Sequence, residues 1–160
     1  MKYKINLSHN IKLINKRYNN EFYHYIAEPN NVLIIPVFKK NFLLVMQKRI
    51  PIKSLNYEFP MGWIDKGETP LDASSRELLE ETGFRTVKRP KKLLSFYADP
   101  GRGSRTCYCY FSDCLKKIKT PEKNIRVYLK SKKQIESLIK SKKFNNSMHI
   151  AAFYYYLNKF

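Results

Sequence analysis

Seven of the 13 acidic residues of this chain lie together between Glu58 and Glu81, although the whole protein carries a formal net charge of +18. Three of the seven, Glu77, Glu80 and Glu81, have a spacing that places them on one side of a helix. Like charges one turn apart destabilise a helix, and carboxylates near its C-terminus oppose the helix dipole. A divalent cation would compensate both effects, and Mg²⁺ prefers oxygen ligands. The pattern therefore favours a metal platform, with a solvated acidic face as the alternative.

A helix over 70–82 is predicted to carry these carboxylates. Thr69 is suited to cap this helix, Pro70 to occupy its first position, and Gly83 to end it. On a helical wheel, the residues expected to face the core are Leu71, Ser75, Leu78, Leu79 and Thr82.

Residues 62–84 read GWIDKGETPLDASSRELLEETGF and fit the pattern G-x5-E-x7-R-E-U-x-E-E-x-G-U, where U is a bulky apolar residue. The specified positions are Gly62, Glu68, Arg76, Glu77, Leu78, Glu80, Glu81, Gly83 and Phe84. This pattern resembles the Nudix box. A bidentate pair between Arg76 and Glu68 would orient the loop before the helix. That loop can then point a backbone carbonyl near Met61 at the metal.

The resemblance to the Nudix family implies a set of metal ligands. Glu77, Glu80 and Glu81 would coordinate divalent ions that bridge a diphosphate, together with the backbone of Met61. Mg²⁺ is the expected cofactor, and Mn²⁺ is the alternative. The resemblance also implies an α+β fold, a Nudix α/β/α sandwich with a mixed β-sheet between helices.

Apolar runs and turn residues predict the elements around the box. Strands are expected over 11–14, 22–26, 31–38, 42–49, 57–59, 92–98, 106–112 and 125–129, and further helices over 133–140 and 147–157. Because strands and helices do not alternate strictly, an α+β fold is favoured over a doubly wound parallel sheet. We expect a single domain, 1–160, in which an N-terminal strand segment, 1–28, precedes a core over 31–158.

Beyond the box, the chain resembles the ADP-ribose and ADP-sugar pyrophosphatase branch of the family. The motifs that carry this resemblance are the Q-K-R sequence ending at Arg49, the EFPMG segment beginning at Glu58, and the DPG loop around Pro100. The resemblance implies that these three residues bind substrate, together with Arg105. The loop departs from the branch pattern, because Asp99 replaces a serine and Arg105 stands where an acidic residue is usual.

The implied reaction is Mg²⁺-dependent attack of water on the diphosphate of a nucleoside diphosphate linked to another group, X. ADP-ribose or an ADP-sugar is the expected substrate, giving AMP and a sugar phosphate. In this branch the base often lies on a loop before the last strand, and Glu122 is the one acid between Asp113 and Glu136. Glu122 is therefore the expected base, with Glu80 and Arg76 as further catalytic residues. The alternatives are a base within the box, or none.

Two other functions remain open from the sequence. One is removal of pyrophosphate or a cap from RNA 5′ ends, for which the charge of +18 would supply affinity. Because the basic residues are scattered and mostly lysine, RNA is the less favoured partner and a nucleotide-sugar the favoured one. The other function is a nucleotide-binding module without catalysis, against which the intact glutamates argue.

The sequence also leads us to expect a homodimer located in the cytoplasm. The branch resemblance implies a homodimer that exchanges N-terminal strands, and the aromatic segment 18–26 would form that interface or cover a local sheet. Three cysteines, an odd number, favour free thiols in the cytoplasm. Neither a secretory leader nor a membrane-spanning segment is expected, because the apolar runs are short.

Overall fold

A mixed sheet of seven strands lies at the centre of the computed structural model, which describes residues 3–8 and 10–160. In chain order the elements are β1 (Tyr3–Asn6), β2 (Lys12–Tyr18), β3 (Glu21–Ala27), β4 (Asn31–Phe38), β5 (Asn41–Arg49), β6 (Ser54–Glu58), β7 (Met61–Trp63), α1 (Pro70–Thr82), β8 (Phe84–Thr86), β9 (Lys91–Tyr97), β10 (Thr106–Ser112), β11 (Leu115–Lys117), β12 (Arg126–Lys130), α2 (Lys132–Lys140) and α3 (Ser147–Lys159). The central sheet has the order β12-β5-β4-β10-β9, with β6 paired to β5 and β7 paired to β4. Strands β4 and β10 run parallel, and the other pairs of this sheet are antiparallel.

Strand β4 separates two hydrophobic cores. Its residues Leu33 and Ile35 face one core, and Val32 and Ile34 face the other. This division follows from strand geometry, because successive side chains point to opposite faces of a sheet. All four side chains are fully buried, so the predicted strand over 31–38 is present and is buried on both faces.

The helices cover both faces of the central sheet. Ala73 and Leu78 of α1 lie in the core formed with Val32 and Ile34. On the other face, the core contains side chains of α2, of α3 and of the segment between them, namely Ile135, Phe153 and Phe144. The α+β fold and the sandwich of helices around a mixed sheet are therefore confirmed.

Helix α1 begins and ends where the sequence predicts. The hydroxyl oxygen of Thr69 accepts a hydrogen bond from the backbone N–H of Asp72, and Pro70 follows the cap. Gly83 ends the helix with a φ of 74°, in the left-handed region that favours glycine. Its N–H donates to the carbonyl oxygen of Leu79 at 2.9 Å.

The buried side of α1 differs from the prediction. Leu78 and Thr82 are buried as expected, but Leu71, Ser75 and Leu79 are only half-buried. Glu81, which was expected on the acidic face, is buried. The reason is that β5 and β7 pack over the last turn of the helix and supply hydrogen-bond donors to Glu81. A helical wheel contains no information about these two neighbouring strands.

An antiparallel sheet of β1, β2 and β3 precedes the core. Its last strand is attached to the loop before β10, because Ile26 N donates to Arg102 O at 2.8 Å and Ser104 N donates to Ile26 O at 3.1 Å. Tyr18 and Phe22 of this sheet are exposed aromatic residues. The exchange of such strands between two copies stays a prediction.

The three cysteines are free thiols, as expected, and Cys107 and Cys109 are buried. In the described part of the chain, no helix combines the length and apolar character needed to span a bilayer.

Candidate active site

Arg76 holds the loop before α1 against the helix. Its Nε donates to Glu68 Oε1 at 2.9 Å and its Nη2 to Glu68 Oε2 at 3.0 Å, so the bidentate pair expected from the sequence is present. Nη2 also donates to the carbonyl oxygen of Trp63 at 2.8 Å. The hydrogen bonds from Arg76 lower the pKa of the Glu68 carboxyl. This ionised pair ties the loop to the helix.

The same guanidinium binds two of the three predicted metal ligands. Arg76 Nη1 donates to Glu77 Oε1 at 2.7 Å and to Glu80 Oε2 at 3.0 Å. Hydrogen bonds, first with Glu68 and then with Glu77 and Glu80, raise the pKa of Arg76. One arginine therefore offsets part of the repulsion among the carboxylates of α1.

Glu81 is the most buried of the three predicted metal ligands. Its Oε1 accepts a hydrogen bond from Gln47 Nε2 at 2.5 Å, and its Oε2 accepts one from the backbone N–H of Met61 at 3.1 Å. Burial raises the pKa of Glu81 to about 8, and burial also raises the pKa of Glu77. Because burial makes the ionised form of this carboxyl costly, a nearby cation would stabilise that form.

A metal site is not preassembled, because no three His, Cys, Asp or Glu side chains converge on one point within the described residues. The three glutamates instead accept hydrogen bonds from side-chain and backbone donors. The donor set still fits a hard cation, because it consists of carboxylate oxygens and includes the costly buried carboxyl of Glu81. A cation in this place would share the two carboxylates with Arg76, which engages Glu77 Oε1 and Glu80 Oε2.

Gly62 allows the loop to lie directly on Glu77. A Cβ atom at this position would be 2.0 Å from Glu77 Oε1, far inside van der Waals contact. Glycine is therefore required for this close approach between the backbone of β7 and the carboxylate. The contact places Glu77 beside the strand that contains Met61, the predicted backbone ligand.

Arg49 and Glu58 form an ion pair at the ends of β5 and β6. Arg49 Nε donates to Glu58 Oε1 at 3.0 Å, and Nη2 contacts Glu58 Oε2. Glu58 is 1% exposed, whereas the side chain of Arg49 is 37% exposed. The hydrogen bond with Glu58 raises the pKa of Arg49. Glu58 therefore holds the arginine in place and leaves part of its surface accessible.

A cleft of about 630 Å³ brings several of these groups together. Its walls include three predicted site residues, Arg49, Met61 and Arg105, together with Gly62 and Trp63. Trp63 is 39% exposed and offers an aromatic surface. The cleft therefore joins the acidic helix, through Met61 and Gly62, to two arginines.

The two predicted residues of the DPG loop occupy different positions. Arg105 lines the cleft, and its Nη1 pairs with Glu28 Oε2 at 3.1 Å. Its Nε is buried and has no hydrogen-bond partner among the described residues. Pro100 is exposed on the turn outside the lining of this cleft.

Glu122 lies on an exposed loop beside the C-terminal end of α1. Its backbone N–H donates to the carbonyl oxygen of Glu80 at 2.9 Å. The negative charge of Glu122 contributes to the raised pKa of Glu77, after burial and the charge of Glu80. The predicted base is therefore close to the predicted metal ligands, although it lies far from them in sequence.

His149 is a buried residue for which the sequence predicts no functional role. Its Nδ1 accepts a hydrogen bond from the backbone N–H of Phe59 at 2.9 Å, and its Nε2 lies 3.7 Å from Glu58 Oε2. Burial lowers the pKa of His149 to about 4. No local signal in α3 indicates that this ring packs behind the ion pair of Arg49 and Glu58.

We expect His149 to make the fold less stable as the pH falls from about 6.5 to about 4. A histidine of the unfolded chain binds a proton near pH 6.5, whereas folded His149 stays neutral down to about pH 4. Protons therefore favour the unfolded chain in this window, by about 3 kcal/mol at its lower end. The measurement is the free energy of unfolding in denaturant across this range, for wild type and His149→Gln. Equal pH slopes for the two proteins would contradict the prediction.

Comparisons with known proteins agree with this architecture. The NUDIX domain family model matches residues 27–137. A crystal structure of an ADP compounds hydrolase superposes with a TM-score of 0.84 over 99% of this chain and 90% of that chain. The sequence identity of the superposed structure is 18%, so this likeness shows the fold.

Two curated relatives are similar over shorter segments. The ADP-ribose pyrophosphatase of Bacillus subtilis (strain 168) is 32% identical over 89 residues, which are 55% of this chain and 48% of that protein. The RNA pyrophosphohydrolase of Bartonella bacilliformis is 51% identical over 41 residues, which are 26% of this chain and 24% of that protein. The match thus spans about half of the first relative and about a quarter of the second.

Proposed function

Because this chain belongs to the Nudix domain family, we propose that it hydrolyses the diphosphate bond of a nucleoside diphosphate linked to a group X. ADP-ribose or an ADP-sugar is the proposed substrate, giving AMP and a sugar phosphate. The observation that carries the proposal is the cleft in which Arg49 and Arg105 face the loop that lies against the acidic helix. Similarity to the ADP-ribose pyrophosphatase of Bacillus subtilis supports this choice of substrate.

Mg²⁺ is the proposed cofactor, with Mn²⁺ as the alternative. The residues that would hold it are Glu77, Glu80 and Glu81, with the backbone of Met61. When bound, the cation supplies neutralisation of the diphosphate charge and acidification of the attacking water. Arg76 acts in this scheme by holding the loop against the helix through its hydrogen bonds to Glu68 and to the carbonyl oxygen of Trp63.

Arg49 and Arg105 are the proposed ligands of the phosphates. Glu58 engages Nε and one terminal nitrogen of Arg49, so the other terminal nitrogen is the proposed donor to a phosphate oxygen. Arg105 contributes its buried Nε, which has no hydrogen-bond partner among residues 3–8 and 10–160, while Glu28 fixes its Nη1. Both arginines are held by carboxylates, so little side-chain entropy is lost when substrate binds.

Glu122 is the proposed base that accepts the proton of the attacking water. The hydrogen bond from its backbone to Glu80 keeps the loop beside the end of α1. Its exposed side chain can rotate toward the carboxylates of the helix. The position of this loop supports the proposal, since a base must come within hydrogen-bond reach of the proton it removes.

We expect Glu122→Gln to lower kcat for ADP-ribose hydrolysis by about 100-fold while changing KM little. The substitution keeps the shape of the side chain and removes the proton acceptor, an effect that appears in kcat. Glu136→Gln, on α2 outside the cleft, is the matched control. If Glu122→Gln keeps most of its activity, the base must be sought in Glu77 or Glu80, or the reaction needs none.

RNA is the second candidate substrate, and a specific observation favours it. Several RNA pyrophosphohydrolases are similar to the chain, including that of Bartonella bacilliformis, and the net charge is +18. Binding of RNA to scattered lysines would be strongly salt-dependent, because each phosphate contact releases counterions. A steep loss of activity with salt on triphosphorylated RNA, but not on ADP-ribose, would favour the RNA reaction.

The proposed function is tested with a panel of substrates and analysis of the products. The panel contains ADP-ribose, ADP-, GDP- and UDP-sugars, NADH, nucleoside triphosphates and triphosphorylated RNA, each with Mg²⁺ and then Mn²⁺. We expect the highest kcat/KM on ADP-ribose or an ADP-sugar, with AMP and a sugar phosphate as products. A higher kcat/KM on RNA than on ADP-ribose or the ADP-sugars, with release of pyrophosphate, would contradict the proposal and support the second candidate.

A further inference from the structure

His149 of α3 contacts two consecutive residues at the end of β6. Its Nδ1 accepts a hydrogen bond from the backbone N–H of Phe59 at 2.9 Å, and its Nε2 lies 3.7 Å from Oε2 of Glu58. The side chains of His149 and Glu58 are 0% and 1% exposed. A fully buried histidine therefore lies beside the carboxylate that engages Arg49.

The hydrogen bond from Phe59 determines which ring nitrogen carries the proton. Burial lowers the pKa of His149 to about 4, so the imidazole is neutral near pH 7 and has one N–H group. Because Nδ1 accepts from Phe59, we assign that proton to Nε2, the nitrogen close to Glu58. His149 therefore offers a donor, and not a lone pair, on the side of the carboxylate.

This Nε2–H group is a buried donor that has no hydrogen-bond partner among the described residues. Its separation of 3.7 Å from Glu58 Oε2 is longer than a hydrogen bond. A movement of less than about 1 Å would bring the two atoms within hydrogen-bond range. An unpaired buried donor costs free energy, and a hydrogen bond to the carboxylate would recover it.

Aromatic rings hold the imidazole in place. Phe59 stacks on it with the ring centroids 6.2 Å apart and the planes 17° apart, and Phe144 meets it edge-on at 6.1 Å and 89°. Because these neighbours restrict the imidazole, a movement that brings it closer to Glu58 falls mainly to the carboxylate.

The position of Arg49 depends on the same carboxylate. Within the described chain, both hydrogen bonds of the Arg49 side chain go to Glu58. A phosphate that attracts this guanidinium weakens its hold on Glu58, and a buried carboxylate then gains from another donor. The Nε2–H of His149 is within reach to supply it.

We propose that His149 is a positioning residue for substrate binding, whose Nε2–H donates to Glu58 when substrate engages Arg49 and so keeps the arginine directed at the diphosphate. This proposal rests on the proposed function, because it takes Arg49 to bind the phosphates. It predicts that His149 affects KM more than kcat, although it does not line the cleft.

Two substitutions separate the two contacts of His149. In His149→Asn the amide oxygen replaces Nδ1 as the acceptor for Phe59, and the donor to Glu58 is lost; in His149→Gln the amide nitrogen replaces Nε2 as that donor. We expect His149→Asn to raise KM for ADP-ribose by about 10-fold, the effect of losing one hydrogen bond to a charged group, and to leave kcat little changed. His149→Gln should keep the KM of wild type even where its unfolding temperature is lower.

Ile135→Val is the matched control for loosened packing, because Ile135 is fully buried in the same core as Phe59 and has no polar group. It should lower the unfolding temperature and leave KM unchanged. A wild-type KM in His149→Asn, or an equal rise in KM in both histidine variants, would overturn the positioning role while the proposed function stands. If wild type hydrolyses no ADP-ribose, the proposed function and this proposal are both contradicted.

A measurement on wild type does not depend on the folding of any variant. The nuclear magnetic resonance signal of the His149 Nε2–H proton is followed while an analogue of ADP-ribose with a methylene-bridged diphosphate is added to saturation in Mg²⁺. We expect a downfield shift, because the proton enters a hydrogen bond with a carboxylate. An unchanged signal at saturation would overturn the proposal.

Discussion

Glu81→Gln is expected to lower kcat for ADP-ribose hydrolysis by more than about 100-fold, because it removes a charge from the group of carboxylates proposed to hold Mg²⁺. The same substitution should stabilise the metal-free fold at alkaline pH. A carboxyl of the unfolded chain ionises near pH 4.5, whereas folded Glu81 holds its proton up to about pH 8. Ionisation therefore favours the unfolded chain increasingly as the pH rises through this window.

The two effects are measured on the same preparation. Thermal unfolding in chelator at pH 5 and pH 8 should show a gain of the variant over wild type that grows with pH. Glu21→Gln, on an exposed position of the N-terminal sheet, is the control for the loss of one negative charge. A variant that retains near-normal Mg²⁺-dependent kcat would contradict the role of Glu81 in metal binding.

Gly62→Ala is expected to reduce activity by about 100-fold without unfolding the protein. The new Cβ would lie 2.0 Å from Glu77 Oε1, and the carboxylate is the flexible end of a side chain that can move away. The displaced carboxylate of Glu77 would move away from the loop, and its hydrogen bond with Arg76 would weaken. A shift of about 1 Å in a group that orients the reaction is enough for such a loss.

Gly103→Ala provides the matched control for Gly62→Ala. A Cβ at Gly103 would meet its nearest neighbour at 3.5 Å, which is ordinary van der Waals contact. We expect the control to retain its activity, and both variants to show thermal unfolding close to that of wild type. Wild-type activity in Gly62→Ala would show that the approach of the loop to Glu77 does not matter for the reaction.

Local rules predicted the parts of the site that lie on one element. Thr69, Pro70 and Gly83 define the ends of α1 by backbone preferences that act over a few residues. The pair between Arg76 and Glu68 is likewise set by their spacing around the start of one helix. Such features can be predicted because each depends on hydrogen bonds and φ angles within one short segment.

Features that depend on packing between distant segments were not predicted. Glu81 is buried because β5 and β7 cover it, and nothing in the order of residues in α1 shows this. His149 reaches Glu58 only because α3 folds back onto the sheet. The short strands β1, β7, β8 and β11 were missed because three or four residues are too few to show an alternating pattern.

The release of AMP from ADP-ribose during titration of Mg²⁺ into metal-free protein tests the central claim most directly. Wild type and Glu81→Gln are compared by chromatography of the products. The account predicts AMP and ribose 5-phosphate in equal amounts, formed by wild type only after Mg²⁺ is added and formed far more slowly by the variant. Equal rates with and without Mg²⁺, or equal rates in the two proteins, would contradict it.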